Sequence, residues 1–78
     1  MRIYSFIFPL GESEFRTKMS FARANDAATW AATQLNEDEF CLFREVPSSD
    51  YVFDPVNEAH HAVRWTADMP HFDTLLID

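Results

Sequence analysis

The spacing of hydrophobic and polar positions changes several times along this chain, and each change predicts a new element. From Arg2 to Phe8 the β-favouring types Ile3, Tyr4, Phe6, Ile7 and Phe8 crowd together and predict a first strand. Pro9-Leu10-Gly11-Glu12-Ser13 predicts a turn, with Gly11, the single glycine, in a backbone conformation that other residues avoid. From Glu14 the alternation is clean. Phe15, Thr17, Met19 and Phe21 fall on one face, and Glu14, Arg16, Lys18 and Ser20 on the other. Period two predicts a half-buried second strand with Arg16 and Lys18 towards solvent. The short connection makes the pair an antiparallel hairpin. At Asn25-Asp26 the period changes to that of a helix, and either side chain can cap its first turn. The helix is expected over Ala27 to Leu35, with Ala28, Ala31, Ala32 and Leu35 as a small-residue stripe that lies close on a sheet. Asn36 suits the left-handed position that ends a helix, and Glu37-Asp38-Glu39 follows as an acidic turn.

Phe40 to Val46 begins with four uninterrupted apolar residues and predicts a central strand covered on both sides. Pro47-Ser48-Ser49-Asp50 predicts a turn, and Tyr51-Val52-Phe53 a short fourth strand paired with the third. Beyond it two periods compete. Val56, Ala59 and Val63 recur at helical spacing, whereas His61, Val63 and Trp65 alternate. A short helix or irregular turn at 55–60 and a strand at 61–66 are expected, then a loop around Pro70 and a last strand over 72–77. The fold class is α+β: a small antiparallel sheet with one main helix packed on one face, in β-β-α-β-β order with further short strand at the C-terminal end. The 78 residues form one domain.

Composition supports a self-contained core. Hydrophobic residues make up 47% of the chain and aromatic residues 15%, so large rings supply apolar area in a domain otherwise short of interior. One cysteine, Cys41, makes no internal disulfide, which suits a reducing cytoplasm. The apolar start is broken by Pro9 and followed at once by Glu12 and Glu14, so a secretory leader is not expected, nor is a membrane span. The net charge is −7 and uneven. Residues 1–23 hold four basic and two acidic groups, a balance of +2; residues 24–78 hold two basic and eleven acidic, a balance of −9. Such a chain repels nucleic acid and is attracted to basic protein surfaces, including those that themselves bind nucleic acid. Acidity that serves only solubility is the alternative.

The residues that could carry chemistry do not converge. His60 and His61 are adjacent and diverge in either a strand or a helix, His71 stands apart, and neither CxxC nor HxxxH spacing occurs. No cofactor or metal is expected. Asp68, His71 and Asp73, or Asp54, Glu58 and His61, lie close in sequence, as carboxylates this abundant do by chance. Cys41 sits in an apolar run that raises a thiol's pKa. No enzymatic activity is expected. Trp30 and Phe43 are read as core, whereas Tyr51 and Trp65, with polar neighbours, suit either the core or an interface. The triplet Glu37, Asp38 and Glu39 stands at the negative end of a helix, where carboxylates gain nothing locally. These five, Glu37, Asp38, Glu39, Tyr51 and Trp65, are the candidate partner-binding residues.

The run from Glu14 to Ala31, a charged alternating strand followed by Asn25-Asp26 and an alanine-rich helix, is similar to a layout found in many small phage and mobile-element proteins. With the size, the acidity and the β-β-α-β order, the chain resembles small anti-CRISPR proteins. That resemblance implies a phage-encoded inhibitor in the host cytoplasm. It implies a monomer or homodimer that sits on a CRISPR surveillance complex and blocks its access to DNA. It carries no residue-level role across. The other open class is an accessory protein-interaction module, or a homo-oligomer joined through a sheet edge.

Overall fold

The computed structural model describes residues 1–64 in full and the backbone of Trp65 and of Phe72–Ile77. Five strands and one helix follow in the order β1 (Arg2–Leu10), β2 (Ser13–Phe21), α1 (Ala24–Thr33), β3 (Phe40–Val46), β4 (His60–Trp65) and β5 (Phe72–Ile77). The strands form one antiparallel sheet in the order β2-β1-β3-β4-β5. The fold is α+β and mostly sheet, as the pattern of periods predicts.

Leu10 pairs with Ser13, so Gly11-Glu12 alone turn the β1-β2 hairpin. Gly11 has φ +63, and a side chain there would meet no neighbour. The requirement for glycine is therefore conformational, and positive φ at the first of two turn residues is the hairpin geometry that glycine favours. Pro9, expected in the turn, lies inside β1. β3 pairs with β1 only from Ile3 to Ile7, so Pro9 stands where β1 has one neighbour and its missing N–H removes no second ladder bond.

The helix starts earlier than the capping pattern suggests. The Arg23 carbonyl accepts from the N–H groups of Asp26 and Ala27 at 3.1 and 3.2 Å, without a side-chain cap, and Asn25-Asp26 lie within the first turn. Ala27, Ala28 and Ala31 are fully buried against the sheet, Leu35 closes the end of the stripe, and Ala32 is half-buried beside it. These small side chains let the helix approach an aromatic layer of Tyr4, Phe6, Phe8 and Phe43. Trp30 stands over that layer, edge-on to Phe6 at 4.9 Å and to Phe8 at 6.0 Å. Offset and edge-on rings add to the burial term. The left-handed residue after the helix is Asp38, φ 69, and not Asn36.

Tyr51-Val52-Phe53 is not a strand. The segment crosses the sheet face opposite the helix, where fully buried Phe53 joins Ile7 and Val46 in a second core. Strand pairing with β3 is taken instead by β4, with Cys41 opposite Val63 and Phe43 opposite His61. β3 is thus central and covered on both faces, as its apolar run predicts. The same crossing corrects the reading of β2. Arg16 donates to the Phe53 carbonyl at 2.8 Å and pairs with Glu14, so it is held in place and not freely solvated.

Candidate functional site

Two groupings of side chains stand out, one on each face of the sheet. On the face without the helix, Glu58 is the hub. Its Oε2 accepts from Tyr51 Oη at 2.7 Å and from the Arg44 guanidinium, and its Oε1 accepts from the Asp54 N–H at 3.1 Å. The backbone joins in: the Glu58 N–H donates to the Asp54 carbonyl at 3.0 Å, and the Glu58 carbonyl lies 2.9 Å from His60 Nδ1. Asp54 caps this turn by accepting from the Asn57 side-chain amide and the Val56 N–H, bonds that hold its carboxyl below the usual range. Burial, then the nearby Arg44 charge, pushes the His60 pKa down. Fixed donors take most of this carboxylate's acceptor positions, two on Oε2 and one on Oε1, which suits a structural role. This grouping clasps the crossing segment onto the sheet. It includes Tyr51, whose ring also lies 5.8 Å from the Arg44 guanidinium, so this candidate is occupied internally.

On the helix face, at the hairpin end, lies a groove of about 400 Å³. Phe8, Leu10, Phe15, Trp30, Leu35 and Phe40 supply its apolar walls, with Gln34 and Glu39 at its polar margin. Its origin is the early end of α1. Leu35 folds under through a 3.2 Å bond from its N–H to the Ala32 carbonyl, and no helical turn continues over the strand ends. Phe15, expected inside, is therefore 55% exposed on edge strand β2, with Leu10 at 51% and Phe40 at 42%. Sequence patterning assigned Phe15 to the inward face correctly but carried no signal that nothing covers that face here.

The acidic triplet borders this groove. Glu39 lines it, and Glu37 and Asp38 stand exposed in the same turn. The triplet also has a local task that charge counting missed. Glu39 Oε1 accepts from the Asn36 N–H at 2.6 Å, the Glu39 N–H returns a 3.0 Å bond to the Asn36 carbonyl, and Asp38 takes the positive φ. The structure thus brings Glu37, Asp38 and Glu39 together beside an apolar groove and puts Tyr51 on the opposite face. Trp65 lies in β4 opposite Phe72; its side chain falls outside the described residues.

Cys41 is fully buried, and burial pushes its thiol up to about 12. Among the described residues no three His, Cys, Asp or Glu side chains gather as a metal site, and no helix is long and apolar enough to cross a membrane. His71, Asp68 and the loop around Pro70 lie outside the described residues. No protein-family model, curated protein or solved structure matches this chain.

Proposed function

We propose that this chain is a non-enzymatic protein-binding inhibitor that lays an acidic surface on the basic, nucleic-acid-binding surface of a larger assembly. The resemblance described above makes a CRISPR surveillance complex in the host cytoplasm the specific target, kept from its DNA. One observation carries the reading. Of the six Lys and Arg residues, Arg2, Arg16, Arg23 and Arg44 are each paired with a carboxylate of the chain itself, whereas Glu37 and Asp38 stand exposed at the helix end. Four of the six cations are thereby offset by the chain's own carboxylates at or near the surface, while Glu37 and Asp38 are left exposed. A complementary basic channel gains association rate and specificity from such a surface.

The test is competition for DNA with a purified CRISPR surveillance complex across a salt series. Inhibition of DNA binding, with association that slows as salt rises and slows again when Glu37 and Asp38 are both changed to Lys, supports the reading. Binding that ignores salt discards it. A second reading rests on the nine-residue edge of β2, which pairs with β1 on one side only. An open edge of that length can add a strand from a second copy. A sedimentation experiment giving a dimer that dissociates when proline replaces Ser20, whose N–H faces away from β1, would favour this homo-oligomer.

A further inference from the structure

From the groove's lining we infer that it receives an apolar side chain, leucine or phenylalanine in kind, from a segment of a protein partner whose neighbouring residues are Lys or Arg. The inference rests on the acidic-surface reading and adds the anchor that charge alone lacks. Phe15, Leu10 and Phe40 form an exposed apolar patch on this groove, whereas Tyr4, Phe6, Phe8, Phe43 and Phe53 are buried, and patches of this kind mark interaction sites. The volume falls in the range of ligand pockets, and Phe8 and Trp30 provide a fixed aromatic floor.

Charge selects the occupant. Among the described residues, the lining holds one carboxylate, Glu39, and no cation. Glu37 and Asp38 extend the negative margin, and Glu12 adds another carboxylate at the hairpin tip. Arg64, opposite Phe40 on β4, is outside the lining. A second copy docking by the same patch would set two such margins against each other, which a two-fold interface cannot avoid. Phosphate backbones and anionic lipid surfaces meet the same repulsion. A protein segment with an apolar anchor between cations satisfies both walls and margin. Anchors hold such contacts together, while margin charges set their rate and salt response.

The probe is a short synthetic peptide with a Leu-Phe pair flanked on both sides by Lys and Arg, titrated into the isotope-labelled full chain. Expected are amide shifts at Phe8, Phe15 and Phe40 and a shift of the Trp30 indole N–H. Replacing the Leu-Phe pair with serines should weaken binding by about tenfold or more. Phe15→Ser and, independently, Leu10→Ser should weaken the original peptide similarly; both side chains are exposed, so the fold has little to lose. If the serine peptide binds as tightly, or the shifts spare the groove, the anchor inference is overturned and the acidic-surface reading stands. If a peptide with glutamate flanks binds as tightly as the basic one, both are overturned. Absence of any groove shift at millimolar peptide overturns the anchor inference.

Discussion

Tyr51 Oη donates to Glu58 Oε2 at 2.7 Å, and this bond helps fasten an irregular segment across the second face of the sheet. The same carboxylate takes the Arg44 guanidinium from β3, so a single side chain joins the crossing to a central strand. Tyr51→Phe removes one hydrogen bond to a charged group and is expected to cost about 1.5 kcal/mol. Glu58→Gln leaves the part-buried Arg44 without its counter-charge and should cost more, about 2–4 kcal/mol. Denaturant unfolding of both variants checks the order. Equal, negligible losses would show that the clasp is a surface decoration.

The alanine stripe sets how near the helix lies to the aromatic layer. Ala31 has no exposed surface and sits in the same core as Phe6 and Phe43. Ala31→Phe should destabilise by about 1–3 kcal/mol through overpacking. Exposed Thr29, on the same helix, is the control position for the same change. A melting temperature unmoved at position 31 would place the stripe in solvent.

Cys41 offers a reporter of core integrity. Its thiol is fully buried and held at about 12, so little thiolate forms at neutral pH. A disulfide reagent at pH 8 should leave the folded chain unmodified and label it stoichiometrically in denaturant. Fast labelling of the native protein would show that the layer between α1 and β3 opens readily.

Elements were legible where side-chain period alone decides them. The hairpin, the helix and β3 each pair a clear period with suitable residue types, and they appear within a few residues of the expected bounds. Tyr51-Val52-Phe53 was misread for a physical reason. Phe53 is buried, Tyr51 is half-buried and Val52 is exposed, an alternation that an extended crossing segment shares with a strand. Only the hydrogen-bond partners distinguish the two, and these are set by β4, which the competing helical spacing of Val56, Ala59 and Val63 obscured. The acidic margin of the groove was legible as charge. The groove itself was not, because Phe8, Phe15, Trp30 and Phe40 come from four different elements and their exposure follows from where α1 stops.

The histidines of β4 should make stability depend on pH. His60 is buried against Phe53, at 5.5 Å between rings, with the Glu58 carbonyl on Nδ1 and Arg44 nearby. His61 stacks on Phe43 at 5.0 Å. Burial is the first cause of a lowered pKa at both, followed by the Arg44 charge at His60 and by His60 itself at His61. The unfolded chain titrates near the ordinary value of 6.5, and the folded one below it. Between those values the unfolded state binds more protons, so folding stability falls as pH falls. The contribution is complete above 6.5 and is lost progressively on acidification through the folded pKa, with a slope of at most about 1.4 kcal/mol per pH unit for each ring. Relief of the chain's negative self-repulsion acts in the opposite direction over the same range. His60→Asn separates the two, because it removes one titrating ring and leaves the net charge at neutral pH unchanged. Denaturant unfolding at pH 7.5, 6.5 and 5.5 should show a shallower loss of stability in His60→Asn than in the parent. Parallel pH profiles for the two proteins would mean that His60 takes up a proton as readily folded as unfolded, and that the clasp on the second face leaves it open to water.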